Sequence, residues 1–170
     1  MLMLVKIFVL TYNTFMRLEQ EIIQWLIKRG QSLAITESCT GGLLSHRLTN
    51  IPGSSRCFLF SVVAYSNEAK TKLLHISVEN LKKHGAVSQE VAIALASGVR
   101  KLLKSDYGLA ITGIAGPTGA SRQKPIGLTF IAINTKDETL CLKCHFKGQR
   151  SSIKSQAATQ SLKLLLEFLS

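Results

Sequence analysis

Apolar and polar positions follow two rhythms along this chain, one helical and one strand-like. From Leu18 to Arg29, Leu18, Ile22 and Trp25 or Leu26 recur at the helical period, and Gly30 follows as a stop signal. The apolar run Ser32–Thr36 predicts a short strand. Glu37 to Gly42 reads as a turn, and Leu43–Leu48 as a second helix broken by Ile51-Pro52-Gly53-Ser54-Ser55. Phe58–Tyr65, rich in Phe and Val, predicts a buried strand, and Asn67–Leu74 a short helix. Ser77 can cap another helix, with Gly85 after it in the left-handed conformation. Ser88 caps the longest clear helix, Gln89–Lys104, whose residues Val91, Leu95, Val99, Leu102 and Leu103 form one apolar stripe. Tyr107–Thr112 and Leu128–Ile133 predict strands on either side of a glycine-rich loop, residues 113–127, that holds two of the three prolines. Leu140–Phe146 alternates and pairs back through a turn near Lys136-Asp137. The last helix spans about Ser152 to Leu169.

Interleaved strands and helices imply an α/β three-layer sandwich, a sheet with helices on both faces. The last two strands are joined by a short turn and must run antiparallel, so the sheet is mixed. With 170 residues, the length fits one domain, assigned to residues 16–170, with a core large enough to need no disulfide or metal. The segment MLMLVKIFVLTYNTF, residues 1–15, stands apart. Lys6 interrupts its apolar run and no small-residue cleavage site follows, which disfavours a signal peptide, and it is too short to span a bilayer. Two readings stay open: translation from Met16, or an extra strand at a sheet edge.

Composition narrows the class. The chain is 46% hydrophobic and 18% charged, which is globular, and carries a formal charge of +11. That excess attracts anions, whether phosphate-bearing small molecules, nucleic acid or anionic lipid. The basic residues fall in short groups such as Lys28-Arg29 and Lys82-Lys83 and form no tail, so a solvated basic surface is the plainer reading. With aromatic residues at 6% and no basic-aromatic platform, a nucleic-acid partner is disfavoured. Cys39, Cys57, Cys141 and Cys144, without a secretory signal, read as reduced thiols in a cytoplasm. On a strand, Cys141 and Cys144 point to opposite faces and cannot clasp one metal. His46, His75, His84 and His145 show no ligand spacing, so neither a metal nor a cofactor is expected. Ser151-Ser-Ile-Lys154 matches a Ser-x-x-Lys pattern but lacks the Ser-Asp-Asn and Lys-Thr-Gly companions, and reads as an exposed helix start.

Three stretches can carry chemistry. In Glu37-Ser38-Cys39-Thr40-Gly41-Gly42 a strand runs into a helix start, where unpaired N–H groups carry partial positive charge and the glycines admit close approach. Ser38 there sits beside donors for an oxyanion or phosphate; the alternative is that Ser38 or Thr40 is only a helix cap. In Tyr65-Ser66-Asn67-Glu68-Ala69-Lys70 a strand ends in a tyrosine and a helix carries a lysine. A serine hydroxyl needs a base, and lysine serves when burial lowers its pKa; the alternative is a surface lysine beside Lys72. Thr112-Gly113-Ile114-Ala115-Gly116-Pro117 places a glycine-rich loop after a strand, a common ligand position, although the spacing matches neither dinucleotide nor Walker loops.

Taken together and in this order, TESCTGG, VVAYSNEAK, HGAVSQEVA and AITGIAGPTG resemble the CinA C-terminal domain family, from about Leu18 to Leu169. Characterised members are nicotinamide-nucleotide amidohydrolases. The resemblance implies a Ser-Lys hydrolase with Ser38 as nucleophile, Lys70 as general base and Tyr65 assisting. It implies substrate contacts from Thr40, Gly41, Gly42, Thr112 and Gly113, with Arg150 of the Gly-Gln-Arg stretch suited to a phosphate. The implied reaction hydrolyses the carboxamide of nicotinamide mononucleotide to nicotinic acid mononucleotide and ammonia, recycling pyridine nucleotide without a cofactor. A homo-oligomer is also expected. The alternatives are a competence- or damage-associated nucleic-acid-binding protein and a relative that binds a nucleotide without turnover. Phe60-Ser61 replaces glycines common before VVAYSN, and Gln149 and Ala120 depart from the family pattern in ways that touch pocket shape.

Overall fold

The structure, a computed structural model, describes residues 18–170. Helix α1 (residues 18–29) leads through Gly30 into β1 (Leu33–Glu37). Helix α2 (Leu43–Thr49) and a single 3-10 turn (Ser54–Arg56) lead to β2 (Phe58–Val63). Three helices follow, α3 (Asn67–Leu74), α4 (Val78–His84) and α5 (Gln89–Leu103). Strands β3 (Tyr107–Gly113), β4 (Leu128–Asn134) and β5 (Thr139–His145) precede the last helix, α6 (Arg150–Leu169). The two serine caps form as the sequence predicts, Ser77 and Ser88 accepting the amides of Asn80 and Val91, and Ser66 caps α3 in the same way by accepting from Ala69.

The five strands lie in the order β2-β1-β3-β4-β5. β1 runs parallel to both neighbours, whereas β4 and β5 are antiparallel, which gives the mixed sheet. Strand alternation divides the core in two. Leu33, Ile35, Leu109, Ile111, Ile131 and Ile133 face one side and pack with residues of α1, α2 and α6. The intervening Ala34, Ala110 and Ala132 face the other and pack with Val91, Leu95 and Val99 of α5. These small side chains let α5 lie close to the sheet. The same alternation places Cys141 and Cys144 on opposite faces of β5, and no group of metal-holding side chains occurs among the described residues.

Some expectations are corrected. β2 is not a buried strand. It is an edge with one neighbour, Leu59 and Val63 are exposed, and it ends at Val63 because the Tyr65 amide turns back to the Val63 carbonyl (3.0 Å). The last helix begins at Arg150, two residues before the expected start, so that arginine belongs to its first turn. Gly85 has positive φ, but its ψ of 158° is extended rather than left-handed helical. The edge-strand reading of residues 1–15 lies outside the described residues.

Candidate active site

Ser38 follows directly on β1, and the turn that carries it is fixed by the residue before it. Glu37 is fully buried, and its carboxylate accepts hydrogen bonds from the amides of Gly42 (3.0 Å), Leu44 (3.2 Å) and Ser45 (2.8 Å) and from the Ser45 hydroxyl. The Ser45 hydroxyl lies in turn against that of Ser61 on β2, at a position where the sequence resemblance leads one to expect glycine. This corrects two expectations. Neither Ser38 nor Thr40 caps α2; Gly42 occupies the cap position at φ 93°, a conformation that favours glycine. The Gly42, Leu44 and Ser45 amides are also not free for a ligand, because a negative charge placed one residue before Ser38 holds them. The Cys39 and Thr40 amides instead make no hydrogen bond to another residue among those described. Thr40 is fully buried, and its hydroxyl has no partner among the described residues.

Lys70 arrives from α3, and its side chain is 1% exposed. No carboxylate meets it among the described residues. Its Nζ donates to the carbonyls of Ala64 (2.8 Å) and Tyr65 (3.2 Å) and lies 3.4 Å from Ser38 Oγ. Burial pushes the Lys70 pKa below the ordinary lysine value, because removing an ammonium from water without a counter-ion favours the neutral amine. A neutral amine has two N–H groups and one lone pair. Two carbonyls and one hydroxyl are the partners that set requires, with Ser38 as donor. The geometry therefore suits a base as well as an ammonium, and the reading of Lys70 as a surface residue is excluded.

Tyr65 contributes to this arrangement mainly through its backbone. Its carbonyl holds Lys70, while the residue is 60% exposed and the phenol oxygen accepts from Arg150 (2.8 Å). Arg150 also donates to the Gly116 carbonyl (2.6 Å), tying α6 to the loop after β3. Thr112 donates to the Ala86 carbonyl (2.8 Å), which brings the HGAVSQ stretch to the site. Gly113 is required by close approach: a Cβ there would lie 2.6 Å from Thr129 Oγ1 and 3.1 Å from Cys39 Sγ. Ser38, Tyr65, Lys70, Thr112, Gly113 and Arg150 all line one pocket of about 290 Å³. Cys39 lines it too, but burial raises its thiol to about 11, so it stays protonated near neutrality and is a poor competitor of Ser38.

Gly41 and Gly42 line a separate cleft of about 850 Å³, together with Thr40, His46, Arg150 and Lys154. Two residues of consequence were not singled out from the sequence. Glu37 carries a signal, an acid at the last position of a strand that runs into a helix. Lys154 lies in the Ser-x-x-Lys stretch that the sequence reads as an exposed helix start.

The match to known proteins covers this whole unit. Residues 16–169 match the CinA C-terminal domain family. A CinA-like protein of Acidobacterium capsulatum is 50% identical over 148 residues, 87% of this chain and 36% of its own length. Another, from Pseudothermotoga lettingae, is 44% identical over 153 residues, 90% of this chain and 38% of its length. The chain thus spans little more than a third of these curated relatives. The crystal structure of the competence/damage inducible protein CihA from Agrobacterium tumefaciens superposes with a TM-score of 0.89 at 32% identity, covering 92% of this chain and 96% of that one. A CinA superfamily protein from Klebsiella pneumoniae gives 0.88 at 31%, covering 91% and 97%. Sheet order, the Ser38 turn and the buried lysine are thus features of a chain that belongs to the CinA C-terminal domain family.

Proposed function

We propose that this chain is an amidohydrolase that converts nicotinamide mononucleotide to nicotinic acid mononucleotide and ammonia. One observation carries the reading: a buried lysine with no counter-ion among the described residues, held by two carbonyls with its amine 3.4 Å from Ser38 Oγ. A hydroxyl becomes a competent nucleophile when an adjacent base takes its proton. Neutral Lys70 takes the Ser38 proton as Oγ attacks the carboxamide carbon. The Cys39 and Thr40 amides, which bond no other described residue, are the candidate donors to the oxyanion that develops. Collapse breaks the C–N bond, and the Lys70 ammonium returns its proton to the departing nitrogen, which leaves as ammonia. An ester on Ser38 remains. Water, losing a proton to Lys70, attacks that ester; the C–Oγ bond breaks and Oγ recovers the proton. The sum is amide plus water to acid plus ammonia, with no external oxidant, reductant or cofactor.

The substrate assignment draws on the family resemblance and on charge. A formal charge of +11 raises the local concentration of a phosphorylated substrate, and Arg150 stands in the pocket wall. The test is ammonia release from nicotinamide mononucleotide. Wild type is expected to release ammonia, and Ser38→Ala to do so about a thousandfold more slowly or worse. Binding of the mononucleotide without ammonia release by wild type, or unchanged release by Ser38→Ala, overturns the proposal.

A further inference from the structure

Gly98 stands in the interior of α5, where a glycine destabilises a helix relative to alanine and so calls for a reason. The reason lies on α3. A Cβ at position 98 would lie 2.7 Å from the Leu74 carbonyl oxygen and 3.2 Å from the Leu74 Cβ, tighter than the 3.4 Å at which ordinary contact begins. Neither atom is the far end of a flexible side chain. α5 itself cannot retreat, because its sheet-facing side is wedged against β3: a Cβ on Gly108 would lie 2.1 Å from the Ala96 carbonyl oxygen. α3 is the side that yields, since its outer face carries the exposed Lys72 and Leu73.

Lys70 lies one turn before Leu74 on the same buried side of α3. The Ser66 cap ties the start of this helix to the end of β2, and at its other end the Ile76 amide donates to the carbonyl of Lys70 itself (3.2 Å). We propose that Gly98 is a positioning residue for the reaction: by leaving no side chain between α5 and Leu74, it seats α3 at the depth that holds Lys70 Nζ beside Ser38 Oγ. The inference rests on the function proposed above. Widening the 2.7 Å approach to 3.4 Å moves Leu74 by about 0.7 Å. With Ser66 as the pivot, Lys70 is halfway along and moves by roughly 0.3–0.4 Å. The carbonyls of Ala64 and Tyr65, which hold the amine, belong to the end of β2 and do not move with α3. The shift therefore misaligns the amine with Ser38 and thins the packing that keeps it dry. Cys39, Tyr65 and Arg150 are the titratable side chains that line the pocket with Lys70, and among the described residues no lining residue belongs to α5. Gly98 thus acts on the lysine only through the seat of α3.

The experiment follows kcat/KM for ammonia release from nicotinamide mononucleotide against pH in wild type, Gly98→Ala, Leu74→Ala and Leu26→Ala. Gly98→Ala should lower kcat/KM about tenfold near neutrality. Its rising limb should move up by about half a pH unit or more, as a less sheltered lysine returns toward its ordinary value, so the deficit narrows in alkaline solution. Leu74→Ala releases the same joint by removing a side chain, should move the limb the same way, and replaces Gly98→Ala if that variant does not fold. Leu26 is fully buried on α1, across the sheet, so Leu26→Ala lowers stability without touching α3 and should leave the limb in place. A limb unmoved within about 0.2 unit in the α3–α5 variants overturns the inference, and so does an equal movement in Leu26→Ala. The Lys70 side-chain resonance, titrated by NMR, reads the same seat without turnover and should titrate higher in Gly98→Ala than in wild type. If wild type releases no ammonia the amidase reading fails, and this titration decides alone: an upward move keeps the seating of Lys70 by Gly98, and an unmoved one removes it.

Discussion

Replacing Glu37 by Gln should loosen the Ser38 turn while leaving Ser38 and Lys70 themselves unchanged. The carboxylate is fully buried and accepts four donors, the Gly42, Leu44 and Ser45 amides and the Ser45 hydroxyl. A glutamine keeps one acceptor oxygen. Turned toward Gly42 and Leu44, it retains those two bonds as neutral ones and presents its NH₂ to Ser45. The Ser45 hydroxyl can rotate to accept, but the half-buried Ser45 amide is left unpaired. An unpaired buried donor costs about 1–3 kcal/mol, and two charge-assisted bonds made neutral add about 1 kcal/mol or more. The expected loss is therefore about 2–5 kcal/mol, a fall in Tm of roughly 5–15 °C for a domain of this size. Because α2 and the turn share these bonds, kcat/KM should fall, since Ser38 loses its alignment with Lys70 and the Thr40–Gly42 turn loosens with it. Scanning calorimetry and steady-state ammonia release measure both. A Tm within about 1 °C of wild type together with unchanged kcat/KM refutes the claim that Glu37 sets the turn.

Two more expectations follow from burial. Gly113→Ala places a Cβ 2.6 Å from Thr129 Oγ1 and 2.9 Å from the Leu128 carbonyl, neither of which can move far within paired strands. A loss of about 1–3 kcal/mol in chemical denaturation is expected, and no loss contradicts the packing argument. Lys70 loses its proton more readily in the folded chain than in the unfolded one. Between its folded pKa and the ordinary lysine value the unfolded state binds the extra proton, so stability rises with pH across that window and is lost as pH falls through it. Relative to Lys70→Met, wild-type stability should rise by up to about 1.4 kcal/mol per pH unit there. Urea titrations at several pH values check the sign, and a difference that is flat with pH, or that falls, contradicts it.

The sheet and both helical layers were legible because period-two and helical runs are clean in β1, β3, β4 and α5. β2 misled because Phe58, Phe60 and Val62 read the same on an edge as in the centre: one strand's composition does not report its number of neighbours. The Ser38 turn was legible as a strand-to-helix junction with glycines. What could not be read was which donors the preceding acid would consume, since that depends on Glu37 pointing toward α2. Lys70 was readable as a candidate only, because burial is a property of the packed α3 and β2 termini. Lys154 was hidden by its neighbours: Ser151 and Ser152 are exposed, as expected, and only the helical turn carries the lysine back over Gly41.

The central claim is that the Lys70 amine, neutral when it works, faces the Ser38 hydroxyl. Titrating the Lys70 side-chain resonance by NMR, assigned by comparison with Lys70→Met, measures this directly. A pKa below the ordinary lysine value, coinciding with the rising limb of kcat/KM against pH, is the expected result. A resonance that titrates at or above that value would contradict the account, because the lysine would then be a permanent ammonium unable to take the proton from Ser38.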